Sequence, residues 1–239
     1  MTFKTFLIGL LASFGVPWLS LVVIPFGKMR GLEPVRFTVA ADGRDEIYVP
    51  RRPGRIPNGA AVYAAEGCYV CHTQVIRPSF AGSELGRPDW AGFEPTKEDP
   101  EDTRRETTPF DYAREDFAQL GLMRYGPDLS NLAGRVEGHV RGDDRYRTPE
   151  DWLYRHLHDP RHKETTYWST CPSQRHHFVT RPVRGQRGAE ALPVDSPEGT
   201  EVVPGERMRA LVSYLLSLRK DDPVPSNIDY RRRKPAPQP

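Results

Sequence analysis

The sequence predicts a mostly α-helical protein: one membrane-spanning helix near the N-terminus, then a domain of short helices joined by long loops. Three observations carry this expectation. Residues 6–26, "FLIGLLASFGVPWLSLVVIPF", hold no charged side chain. The stretches "GAAVYAAEGCYVC", "EDWLYRHLHDP" and "ERMRALVSYLLSLRK" carry helix formers or apolar residues at helical spacing. The 239 residues include 24 prolines and 20 glycines, which interrupt long regular elements. The formal charge of +2 gives no reason to expect a nucleic-acid partner.

As a helix, the uncharged run reaches about 30 Å, the thickness of a bilayer's hydrocarbon core. Pro17 predicts a kink, which bilayer helices tolerate. A cleaved signal peptide has a shorter apolar core and a small-residue cleavage site close behind it. Lys28, Met29 and Arg30 follow instead, so residues 1–30 read as an uncleaved transmembrane anchor. Lys4 on one side and Lys28 with Arg30 on the other give a slight charge asymmetry that argues weakly against an outward-facing remainder.

Residues 31–57 read as a linker with one strand pair, "RFTV" with "EIYV". Asn58 is placed to cap a helix that runs to Gly67, and the main domain spans 58–220. Residues 79–120 form a long loop insert, charged and proline-rich, with a short helix near 111–120. Thr148, Pro149, Glu150 and Asp151 mark the start of a helix that Pro160 stops. Residues 161–204 are irregular, and the last helix, 206–220, presents Leu211, Tyr214, Leu215 and Leu218 on one face, packing against the first helix of the domain. The tail, 221–239, is proline-rich and ends in the basic run "RRRKP", which reads as solvated.

Chemistry concentrates in "EGCYVCHTQVIRPSF", residues 66–80, where Cys68 and Cys71 are followed directly by His72. Cys-x-x-Cys-His is the pattern of covalent c-type haem attachment. Two thiols at this spacing meet the two vinyl groups on one edge of a porphyrin, and the adjacent imidazole lies under the iron. A zinc site needs about four ligands, and here only Cys171 with His176 or His177 could complete one, irregularly. A thioredoxin-like dithiol needs a βαβ setting that the helix–loop pattern lacks. The expected cofactor is therefore one covalently bound haem c, and the fold is a cytochrome c-like monohaem domain hung from one membrane helix. Haem attachment takes place outside the cytoplasmic membrane, so residues 31–239 are expected on the extracytoplasmic side of a bacterial inner membrane.

"RYGPDLSNLAGR", residues 124–135, supplies the rest of the expected pocket. Its turn offers the Pro127 carbonyl to the outer nitrogen of His72, because ligand imidazoles are oriented by such bonds. Leu129 and Leu132 are placed to cover the haem edge, and Arg77, Arg124 and Tyr125 to pair with its propionates.

The N-terminal anchor, "CYVCHTQVIRPSF", "RYGPDLSNLAGR", "DWLYRHLHDPR" and a short last helix occur in this order. Together they resemble the membrane-anchored monohaem subunit (subunit II) of cbb3-type cytochrome c oxidases, the C-family haem–copper oxidases. The resemblance covers roughly residues 1–165 and the last helix, and "CHTQVIRP" is its specific part. It implies a non-catalytic electron-transfer subunit. Its partners would be a cytochrome c donor, the catalytic oxygen-reducing subunit, other oxidase subunits and the lipid bilayer. Cys68 and Cys71 would hold the haem, and His72 would be its proximal ligand.

The chain departs from that family at the distal ligand. Where the family has methionine followed by proline, this sequence has Cys171 and Pro172 in "YWSTCPSQRHHF". The distal candidates are Cys171, His176 or His177, Met123 or Met208, or an open position. The choice bears on function, since methionine raises a haem potential while thiolate or a second imidazole lowers it. Two further readings stay open: the haem subunit of a nitric oxide reductase-like complex, and a low-potential structural or assembly subunit.

Overall fold

The computed structural model describes residues 2–38, 44–50, 54–87, 89–97, 102–113, 115–162, 166–220, 224, 225 and 228. The basic run of the tail lies outside the described residues. The chain divides into two compact units, Met1–Tyr48 and Val49–Pro239. The protein is mostly helical, with two small antiparallel ribbons among the described residues.

In the first unit, helices α1 (Phe3–Trp18) and α2 (Ile24–Arg30) are joined by a wider π turn, Leu19–Val23. Together, Phe3–Arg30 is long and apolar enough to cross a membrane, with a mean hydropathy of 2.2 in its most apolar window. The irregularity expected at Pro17 lies a few residues later. Pro25 sits at the start of α2, and its ring cannot fit against the carbonyl four residues back in a regular helix. The chain widens before it, with the Ile24 amide bonding to the Leu19 carbonyl. The Ser20 hydroxyl donates to the Val16 carbonyl at 2.8 Å, which satisfies a backbone group that the widened turn disturbs. The expected strand pair is present: β1 (Arg36–Thr38) runs antiparallel to β2 (Asp45–Ile47).

The second unit is organised by α3 (Arg55–Ala65) crossing α7 (Glu206–Leu215). Gly59 allows the close approach: a Cβ there would lie 2.0 Å from the Ala210 carbonyl oxygen. Tyr63 and Tyr214 meet in the core with ring centroids 5.4 Å apart, and the Tyr214 hydroxyl donates to Gln74 Oε1 at 3.0 Å. Helices α5 (Leu132–Arg141) and α6 (Pro149–His158) complete the core through Leu132, Val136, Leu153 and Leu157. Thr148 caps α6 by accepting from the Asp151 amide, as the sequence pattern requires.

Four local expectations are corrected. Asn58 is not the cap of α3, which starts at Arg55 and places Pro57 in its first turn, where no amide proton is needed. The short helix expected near 111–120 is a 3-10 turn, Pro109–Tyr112, with a Thr108–Asp111 capping box. Helix α7 stops at Leu215 because the chain beyond it serves α5: the Ala133 amide bonds to the Leu218 carbonyl, and the Lys220 amide to Asn131 Oδ1. Within 161–204, β3 (Phe178–Pro182) pairs with β4 (Thr200–Pro204). Strand β3 is largely exposed, so it shows no apolar alternation to read.

Candidate functional site

Helix α3 ends at Ala65, and Gly67 reverses the chain in a left-handed conformation (φ 69°). That turn begins a single helical turn, α4 (Cys68–Cys71), which puts the two cysteines three residues apart and therefore on one face. His72 leaves the turn in an extended conformation.

A strap formed by residues 120–129 is laced to the motif on one side. The Leu122 amide bonds to the Tyr69 carbonyl, Gly126 to Cys71, Gln74 to Leu120 and Leu129 to Thr73. His72 Nδ1 lies 2.8 Å from the Pro127 carbonyl oxygen. A carbonyl can only accept, so Nδ1 carries the proton and the Nε2 lone pair faces away, free to bind a metal. Gly126 lies flat against the ring: a Cβ there would be 2.2 Å from His72 Cε1. Beneath the turn, fully buried Asp128 accepts from the Thr73 hydroxyl at 2.5 Å, the Val75 amide at 3.0 Å and the Ser130 amide at 2.7 Å. Burial lowers the pKa of His72, outweighing the Pro127 bond, and the nearby Arg135 cation adds to the effect. The imidazole is thereby held neutral, the form that coordinates.

The three cysteines are free and half-buried. Burial pushes the Cys68 thiol up to about 12, and burial with the neighbouring Cys71 raises that of Cys171. The attacking thiol of a reactive dithiol needs a depressed pKa, and Cys68 has the reverse. Cys171 is near enough to Cys68 and Cys71 to act on both electrostatically.

The arginines expected at the propionates have protein partners. Arg77 Nε donates to Glu84 Oε1 at 2.6 Å, and Arg124 Nη1 to the same oxygen at 2.5 Å. Burial would raise the Glu84 pKa, but these two cations hold it below the ordinary range. Tyr125 is exposed, and Leu129 and Leu132 belong to the main hydrophobic core, against which Cys68 and Tyr69 pack. Arg135 was not singled out by sequence. Its Nη2 donates to the Asp128 carbonyl at 3.0 Å, while its buried Nη1 has no partner among the described residues. Such an orphan donor fits an anionic group of a bound cofactor. A guanidinium two turns beyond the Pro127 turn was the available signal.

The distal candidates fare unequally. Met208 is fully buried in α7, within the core cluster. Met123 is exposed on the strap that carries Pro127. His176 and His177 are both turned to Glu66, at 3.3 and 2.8 Å, because that carboxylate offers them a charged acceptor. Cys171 is thus the sequence-named candidate that stands next to the motif without a side-chain partner, its Sγ lying 3.6 Å from the Pro172 carbonyl. The structure adds His156, which sequence reading passed over. Burial, then the proximity of His72 and His139, push its pKa down to about 4. Its ring stacks on Trp152 at 5.0 Å, with His139 stacked on the same indole at 5.4 Å.

Around the motif, Val70, Leu122, Met123 and Tyr125 are exposed, and Tyr167 and Trp168 are exposed just before Cys171. These exposed apolar side chains are available to cover a bound group or a partner. A covalent haem fits these residues: two thiols on one face, a neutral imidazole with a free Nε2, a glycine against its ring, an orphaned guanidinium and an apolar rim. No protein-family model matches the chain, and no curated protein matches it.

Proposed function

We propose that this chain is a membrane-anchored monohaem cytochrome that carries single electrons within a respiratory terminal oxidase, outside the bacterial inner membrane. The observation that carries the reading is the His72–Pro127 hydrogen bond, which leaves Nε2 free beside two thiols set on one face. In this reading Cys68 and Cys71 bind the haem covalently, His72 is its proximal ligand, and Phe3–Arg30 is the anchor. A bound haem c supplies one-electron redox chemistry. The protein residues do the rest. The Asp128 network fixes Pro127, Pro127 fixes the tautomer and plane of His72, and Gly126 leaves the ring room. Arg135 is the donor for a propionate, while Arg77 and Arg124, tied to Glu84, shape the wall behind it.

The oxidase assignment rests on the resemblance carried by "CHTQVIRP" and "RYGPDLSNLAGR". The partners it implies are a cytochrome c donor and a catalytic haem–copper subunit, and the exposed apolar rim is the surface on which such a contact would form. The test is expression of the full chain in a host that matures c-type cytochromes. The product should gain the mass of one haem and give a c-type pyridine haemochrome spectrum, and Cys68→Ala with Cys71→Ala should abolish both. A colourless chain with bare-protein mass overturns the proposal. Turnover of the purified complex with oxygen, against nitric oxide, separates the oxidase from the reductase reading.

A further inference from the structure

Glu66, two residues before Cys68, converges with His176 and His177, and neither the haem reading nor the fold requires the three to meet. Glu66 caps the C-terminus of α3, and the two histidines belong to a 3-10 turn, Arg175–His177. We propose that these three side chains form a second metal site, for a divalent transition-metal cation of the zinc or copper class.

The geometry supports it. The ligand atoms all lie within 4.8 Å of one another. His177 Nε2 is 2.8 Å and His176 Nε2 is 3.3 Å from the two oxygens of Glu66. Donors on a tetrahedral zinc, bound at about 2.0–2.2 Å, stand roughly 3.4 Å apart. Shifts of a few tenths of an ångström therefore admit an ion. The backbone under the histidines is fixed: the His177 amide bonds to the Gln174 carbonyl, and the Gly205 amide to the His177 carbonyl at 2.8 Å. Burial would raise the Glu66 pKa, but the two imidazoles and Arg207 outweigh it, so the carboxylate stays charged. The two-nitrogen, one-oxygen donor set suits zinc or copper better than calcium or magnesium. His176 is 57% exposed, which leaves a coordination position open to water. Arg207 Nη2 lies 3.4 Å from Glu66 Oε1, but its side chain is 59% exposed and can swing into solvent when a cation enters.

The test uses the full chain in detergent, stripped with a chelator and titrated with Zn²⁺ in a calorimeter. One equivalent should bind, and His176→Ala and Glu66→Gln should each weaken binding at least tenfold with the circular dichroism spectrum unchanged. His176 is exposed, so its replacement does not threaten the fold. Absence of binding overturns the proposal, as does an affinity in both variants within twofold of the parent. The latter result would place the ion on free thiols or on the histidines stacked against Trp152. Alkylating any free thiols before the titration removes the first of these sites and makes both outcomes independent of whether haem is attached.

Discussion

The His72 side of the site and the Cys171 side are built in opposite ways. On the first, a ten-residue strap is held by successive main-chain bonds, a buried aspartate and a glycine that fits one ring. On the second, Cys171 sits among exposed Tyr167, Trp168 and Pro172, and its thiol meets only a neighbouring carbonyl. The contrast teaches that the His72 imidazole is pre-set by the protein fold, whereas the Cys171 thiol is held by few contacts. Under the proposed function, a pre-set imidazole suits a ligand that must not move during electron transfer, because fixed surroundings limit reorganisation. Under the same proposal, the loosely held Cys171 side is where a haem potential would be tuned.

The largest effect that would break this comparison comes from Asp128→Ala. It strands the Thr73 hydroxyl and the amides of Val75 and Ser130 in the interior, and a loss of about 3 kcal/mol or more is expected in chemical denaturation. A loss below about 1 kcal/mol would mean that the strap is not what sets His72. Next comes acid. Asp111 bonds Lys220 Nζ at 2.9 Å and Arg105 at 2.7 Å beneath the strap side. Burial would raise its carboxyl, but the two cations hold it at about 2, below its ordinary 3.8. A depressed folded-state pKa gives stability that is full above the unfolded value and lost as pH falls from there through about 2. Its size is on the order of 2 kcal/mol. Denaturation midpoints of Asp111→Asn should lack this acid limb.

Gly126→Ala is expected to cost about 1–3 kcal/mol, since its methyl must displace the His72 ring. A shifted His72 Nδ1–H resonance would report it independently. The smallest stability effect belongs to Cys171→Ala, under about 1 kcal/mol for a half-exposed site. That variant should nevertheless shift the spectrum and midpoint potential of the haem-loaded protein. If it does not, and His156→Ala does, then α6 supplies the distal nitrogen and the comparison is redrawn around that helix.

Much of the first side was legible because its signals are short-range. The Cys-x-x-Cys-His spacing, the Gly67 turn and the Gly-Pro turn at 126–127 each state their conformation within a few residues. The Pro127 acceptor follows from needing a partner for His72. Nothing local announces that Glu84, 2% exposed, pairs with both Arg77 and Arg124. Their preference for a protein carboxylate is a matter of what burial brings near. The same holds for Arg135, for His156 against Trp152, and for the pairing of Glu66 with two histidines far along the chain.

By itself, then, the sequence determined the apolar span, the capped start of α6, the strand pair of the linker and the thiol–thiol–imidazole triplet, since each is set by backbone preference or by the chemistry of adjacent side chains. Only the tertiary structure decided which charges neutralise each other, where α7 must stop to serve α5, and which residues face His72. Those outcomes depend on long-range packing, where a buried ion takes whatever partner the folded chain delivers, and sequence distance says nothing about that.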